Sequence, residues 1–231
     1  MKEHIYSIPL TEALEKKCDC ILCALEEKFE EQAAEYFLGA SMMEPDAREI
    51  TNEKGFCRRH LKMLFEKQNR LSLALTLETH VKELSRKIDI KKKEKFFSKD
   101  TTASLTSKNI SSLALTCAMC DKLNHELALA AGNLAYLWGK NKDFKNMFEE
   151  SEGLCLEHTA LTIKMCDGEL GGKKKEQFIT MLVEKEKEAL SRLYNDLHGF
   201  TLSFDYRYAK NELTPEEKGS VQSAIRHLTK Y

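Results

Sequence analysis

Gly55-Phe56-Cys57-Arg58-Arg59-His60 and Gly153-Leu154-Cys155-Leu156-Glu157-His158 are one phrase written twice: glycine, an apolar residue, cysteine, two residues, histidine. Upstream of each stands a paired-cysteine phrase, Cys20-Ile21-Leu22-Cys23 and Cys117-Ala118-Met119-Cys120. The gap between the two phrases is 33 residues in the first copy and 34 in the second. Cys20 maps to Cys117 by a shift of 97 and Cys57 to Cys155 by 98, so a single net insertion separates the copies. Such self-similarity marks an internal duplication. Six of the eight cysteines fall into this frame.

Residues three apart in a helix share a face about one turn from each other. A CxxC or CxxH in a first helical turn can therefore grip one ion, and two such turns supply the Cys3His set of closed structural zinc sites. Free backbone N–H groups and the positive end of the helix dipole stabilise thiolates there. The frame predicts two zinc ions, each held within one repeat: Cys20, Cys23, Cys57 and His60 in the first, Cys117, Cys120, Cys155 and His158 in the second. Three thiolates and a neutral imidazole leave such a site with net charge −1. Arg58 and Arg59 inside the first CxxH are expected to offset it, whereas Leu156 and Glu157 are not. On that charge argument the second site releases its metal first.

Composition points to helices throughout. Val81, Val183 and Val221 are the only valines, and leucine, alanine, lysine and glutamate abound; strands favour β-branched residues and helices the unbranched ones. The expected fold is all-α, with two duplicated helical metal-binding halves tied at helix N-termini and a C-terminal helical tail. Segments follow at 1–90 (first half), 91–114 (polar linker), 115–200 (second half) and 201–231 (tail). Leu77, Val81, Leu84 and Ile88 predict one buried helical stripe, and Leu123, Leu127, Ala130, Leu134 and Trp138 another. Phe178, Leu182, Leu190, Leu193 and Leu197 predict a third. Thr214-Pro215-Glu216-Glu217 reads as a capping box opening a last helix.

Lys+Arg 36 against Asp+Glu 37 gives the chain no general attraction to nucleic acid or anionic lipid. No basic stretch followed by an apolar run opens the chain, and no window reads as a membrane span. The expectation is a cytosolic protein, where thiols stay reduced and eight cysteines point to metal or redox chemistry rather than disulfides. Cys18 is read as a spectator beside the first cluster, with replacement of Cys20 as ligand or a resolving thiol as the alternative, and Cys166 as core. His80 and His125 are given solvent or packing roles. Phe204-Asp205-Tyr206-Arg207-Tyr208 is read as an aromatic anchor for the tail, with base or ligand stacking as the alternative. No phosphate loop, serine elbow or HExxH is present.

The opening Met1-Lys2-Glu3-His4-Ile5-Tyr6-Ser7-Ile8-Pro9 and the CILC, GFCRRH, CAMC, GLCLEH and FDYRY elements together resemble a bacterial family catalogued as a domain of unknown function. The resemblance spans nearly the whole chain and implies a helical, zinc-binding protein without an assigned reaction. Three function classes follow. The leading one is a non-enzymatic interaction or scaffold module for a protein partner or a second copy, with no membrane and no small-molecule substrate. The alternative is an iron–sulfur or thiol-based redox protein. Third is a nucleic-acid-binding regulator, using the linker lysines and Arg207.

Overall fold

The computed structural model describes residues 7–92, 101–114, 116–207 and 212–229. The sequence readings at Met1–Tyr6, Lys93, Lys99 and Tyr208 lie outside these. Among the described residues the chain is all-α, with eleven helices and no strand. They are α1 (Ser7–Glu15), α2 (Ile21–Leu38), α3 (Pro45–Lys54), α4 (Arg58–Glu66), α5 (Arg70–Lys87) and α6 (Thr102–Ala114), followed by α7 (Ala118–Lys140), α8 (Lys142–Glu150), α9 (Leu156–Met165), α10 (Gly172–Leu202) and α11 (Pro215–Thr229). Single 3-10 turns cover Ala40–Met43 and Cys166–Gly168. No described helix is long and apolar enough to cross a membrane.

The chain forms two compact units that cut across the expected segments. One comprises Met1–Glu27 with Glu126–Tyr231, the other Lys28–His125. Both chain crossings fall inside the helices that follow the CxxC phrases, at Glu27/Lys28 in α2 and His125/Glu126 in α7. Each unit thus combines the CxxC of one repeat with the CxxH of the other.

The Lys28–His125 unit is built on α3 packed against α5, with α4 also touching α5. Its core gathers Phe29, Ala33, Phe37, Phe56, Leu64, Leu73, Met119 and Leu123, and Phe37 meets Phe56 edge to face at 5.3 Å. The expected α5 stripe is not the buried one: Val81 is 60% and Ile88 51% exposed, and Leu77 and Leu84 are half-buried. The face of α5 that packs is polar and small. It buries Ser72, Leu73 and Thr76, takes Arg48 at Thr79 Oγ1 (3.0 Å), and sets His80 against the Asn52 carbonyl (2.9 Å). The linker region carries α6, none of whose described residues is buried.

In the other unit α10 packs on α9 and α11, α11 on α9, and α1 on α8. Ala130, Leu134 and Trp138 of α7 are buried as expected, and so are Phe178 and Leu182 of α10. The rest of the α10 stripe differs: Glu186 and Ala189 are buried while Leu190 is 38% exposed. Glu186 tolerates the interior because both oxygens are engaged: Thr159 Oγ1 donates to one at 2.9 Å, and His227 Nε2 lies 2.7 Å from the other. This interaction draws α11 into the unit, so the tail is no appendage. The capping box forms as expected: the Glu217 N–H donates to Thr214 Oγ1 at 3.2 Å and the Thr214 N–H to Glu217 Oε2 at 2.8 Å. Cys166 is fully buried. The aromatic-anchor reading does not hold for Phe204 and Tyr206, which are 78% and 88% exposed. Arg207 is turned onto Asp205, its Nε 3.0 Å from both carboxylate oxygens.

Candidate metal centres

All four phrases fall at helix beginnings. Cys57 and Cys155 are the N-cap residues of α4 and α9, and Cys20 and Cys117 immediately precede α2 and α7. The second member of each phrase, at the third helical position, faces the same way. At the start of α7 sulfur takes the place of the usual oxygen cap: the Cys120 N–H donates to Cys117 Sγ at 3.4 Å.

The eight frame residues gather into two quartets, paired across the repeats. Cys20 and Cys23 meet Cys155 and His158, while Cys57 and His60 meet Cys117 and Cys120. Within each quartet the candidate ligand atoms all lie within 4.8 Å of one another. The expected pairing inside each repeat is therefore corrected. At about 1.5 Å per residue the 18 residues of α2 carry the chain about 27 Å from the first CxxC before any turn, and the 23 residues of α7 carry it about 35 Å from the second. Each CxxH follows such an excursion and is set beside the other repeat's CxxC.

His158 Nδ1 lies 3.4 Å from Cys20 Sγ, 3.4 Å from Cys23 Sγ and 3.3 Å from Cys155 Sγ. His60 Nδ1 lies 3.3 Å from Cys57, 3.2 Å from Cys117 and 3.4 Å from Cys120. Sulfur–sulfur separations are 3.6 Å for Cys23–Cys155 and 3.8 Å for Cys57–Cys120. Both imidazoles are buried, and Cys23, Cys57 and Cys120 are half-buried. Cys18 belongs to neither quartet; its thiol donates to the Ala13 carbonyl at 3.5 Å.

The thiols are not equivalent. Burial pushes Cys20 up to about 12, and Cys23 is raised by its hydrogen bonds with Cys155 and Cys20. Cys155 is held well below the usual thiol range by hydrogen bonds from those same two thiols, aided by His158. In the other quartet burial raises Cys120. Burial opposes ionisation at Cys57 too, but the His60 backbone N–H and the Cys120 and Cys117 thiols outweigh it and lower that group. In each quartet ionisation is favoured at the N-cap cysteine.

Protein contacts fix the Cys57 quartet. The Gly55 carbonyl accepts from the Ala118 N–H at 2.9 Å, Thr116 Oγ1 donates to the Lys54 carbonyl at 2.8 Å, and Lys54 Nζ pairs with Asp121 at 2.5 Å. Gly55 makes this turn at φ 56°, ψ −150°, a conformation close to glycine-only territory. A Cβ there would also meet His80 Nε2 at 2.2 Å. Gly55→Ala is expected to cost at least about 1–3 kcal/mol from backbone strain alone, before His80 is displaced. Urea unfolding checks this; an unchanged midpoint would show that the turn relaxes freely.

Two carboxylates that the sequence reading did not single out stand behind the histidines. Glu30 Oε1 lies 2.9 Å from His60 Nε2, and Glu26 Oε2 lies 3.5 Å from His158 Nε2. Arg59, expected to offset the thiolate charge, pairs instead with Glu30 at 2.8 Å. The signal available was positional: Glu26 and Glu30 are one turn apart on the helix that starts at the first CxxC.

No curated protein and no solved structure matches the chain. The family described as "Family of unknown function (DUF6062)" matches residues 1–231, and by that match the chain belongs to it.

Proposed function

We propose that this protein is a non-enzymatic helical module of the cytosol, knotted by two zinc ions, that presents helix faces to a protein partner or a second copy. The observation that carries the reading is the geometry of the quartets. A tetrahedral ion bonded to sulfur at about 2.3 Å and nitrogen at about 2.0 Å sets sulfurs about 3.8 Å apart and sulfur from nitrogen about 3.5 Å. The sulfur–sulfur distances of 3.6 and 3.8 Å and the sulfur–nitrogen distances of 3.2–3.4 Å suit such an ion. Cys20, Cys23, Cys155 and His158 would hold one, and Cys57, His60, Cys117 and Cys120 the other. Four protein ligands close a tetrahedron and leave no position for substrate, which favours a structural role over catalysis. An iron–sulfur cluster distributes its cysteines over several irons, and sets confined within 4.8 Å fit a single ion better.

Elemental analysis of protein purified without oxygen tests this directly. Two zinc ions per chain and a colourless solution are expected. Visible absorption with stoichiometric iron would move the protein to the redox class. Nucleic-acid binding loses support from Arg207, whose guanidinium is engaged by Asp205, and retention of any nucleic acid at low salt would revive it.

Acidity gives a second check. With Cys20 and Cys23 both shifted upward, these thiols keep their protons at neutral pH when metal-free. An ion must displace both, so binding strengthens as pH rises and fails as it falls. The slope expected at this quartet is about 100-fold per pH unit, ten-fold for each proton released. Zinc competition at pH 6, 7 and 8 reads the slope, and a pH-independent constant would contradict the assignment of these two thiols.

A further inference from the structure

In both quartets the imidazole presents Nδ1 to the sulfurs. That leaves Nε2 to carry the ring proton and to donate it away from the ion. A carboxylate accepting such a proton fixes the ring's rotation, selects the tautomer and makes the ligating nitrogen more basic. Both carboxylates come from α2: Glu30 takes up a hydrogen bond with His60 Nε2 at 2.9 Å, and Glu26 stands 3.5 Å from His158 Nε2 without a hydrogen bond formed. The duplication offers no such residue elsewhere. At the shift of 97 that relates the CxxC phrases, Glu26 and Glu30 map onto Leu123 and Leu127 of α7, both buried in apolar core. The two carboxylates are therefore a specialisation of the first repeat rather than a by-product of the helix frame. Both are largely shielded, with side-chain exposures of 12% for Glu30 and 13% for Glu26, and the imidazoles are more enclosed still, at 2% and 1%. A hydrogen bond to a charged group in such a place is worth more than one at the surface.

The two sites differ in how well this is done. Glu30 is within ordinary hydrogen-bond range and is itself steadied by Arg59 at 2.8 Å. Glu26 stands beyond a normal hydrogen bond. Resting on the two-ion reading above, we propose that Glu30 and Glu26 are the positioning residues of the metal centres, and that the Glu30–Arg59 pair makes the Cys57/His60/Cys117/Cys120 centre the tighter of the two. The Cys20/Cys23/Cys155/His158 centre is then the one that gives up its ion first. Arg59 reaches this outcome through the imidazole's partner and not by neutralising thiolate. Two thiols of this centre are half-buried, Cys57 and Cys120, against Cys23 alone in the other, which speeds attack by a chelator. The comparison must therefore be made at equilibrium.

The experiment uses the zinc-loaded full-length chain, equilibrated with graded concentrations of a chromophoric chelator. Released thiols are then alkylated with iodoacetamide and mapped by mass spectrometry. Wild type is expected to carry two ions and to label Cys20, Cys23 and Cys155 at the lower chelator concentrations. Glu30→Leu, which installs the second repeat's residue, is expected to weaken the other centre by about 10- to 100-fold and to reverse the labelling order. Glu30→Gln, which keeps the shape and an acceptor but loses the charge, is expected to fall between the two, and Glu26→Leu to have a smaller effect than Glu30→Leu. A slowly exchanging imidazole N–H resonance should vanish in Glu30→Leu and persist in Glu30→Gln, a readout that repacking alone does not move. Two ions bound with unaltered order and affinity in Glu30→Leu and Glu30→Gln overturn this inference and leave the metal reading standing. No zinc bound to wild type at all removes both.

Discussion

Full-length protein carrying Cys23→Ser with Cys57→Ser is expected to retain no ion at wild-type affinity, whereas Cys23→Ser with Cys155→Ser retains one. The two double variants remove the same number of sulfurs and differ only in where those sulfurs meet. Cys23 and Cys155 share a quartet with a sulfur–sulfur distance of 3.6 Å, so the second variant leaves Cys57, His60, Cys117 and Cys120 complete. Cys23 and Cys57 belong to different quartets, so the first variant reduces each to three ligands. Serine is a poor replacement because zinc prefers thiolate and its hydroxyl stays protonated at neutral pH. Native mass spectrometry counts the ions and chelator competition ranks them. If the pair of variants behaves in the opposite way, the ions are held within each repeat and the crossed assembly is wrong.

That pairing was the part of the site the sequence did not make legible. Residue spacing fixes how much chain separates two phrases but not the route it takes. The eight ligand candidates and their places at helix starts could be read because local geometry decides them: a three-residue interval and an N-terminal turn are properties of a few adjacent residues. The capping box at Thr214 and Glu217 was readable for the same reason. The route depends on where α2 and α7 end and on the turns that follow, which the spacing of the phrases does not record. Periodicity was equally blind to which face of α5 is buried. Leu77, Val81, Leu84 and Ile88 make the better apolar stripe. The packed face instead carries Ser72, Thr76, Thr79 and His80, satisfied by contacts with α3 and its approach. Glu26 and Glu30 escaped notice because a glutamate on a charged helix is ordinarily solvated, and nothing local reveals that an imidazole from elsewhere in the chain arrives behind it.

Removing both ions with a chelator under reducing conditions is expected to lower the thermal midpoint by about 10 °C or more. Its first structural effect should be the loss of α4 and α9. Free metal at a thousand times its dissociation constant stabilises the folded state by about 4 kcal/mol per site, and a chain of this size loses about 2–4 °C per kcal/mol. The helices at risk follow from length and anchoring. The 9 residues of α4 and the 10 of α9 are too short to persist by themselves in water, and each begins at a quartet cysteine with its histidine one turn on. Without the ion, each N-cap keeps a cluster of thiols that repel when ionised and stay poorly solvated when protonated. By contrast α10 is 31 residues long and anchored by Phe178, Leu182, Glu186 and Ala189, none of them a quartet residue. Hydrogen exchange separates these cases. Amides of Leu61–Glu66 and Thr159–Met165 should lose protection on chelation, while those around Phe178 and Leu182 keep it until the unit unfolds. Re-addition of zinc should restore the midpoint without refolding from denaturant. Unchanged protection of α4 and α9 after complete chelation would mean that packing alone places these helices, and that the quartets do not govern the fold.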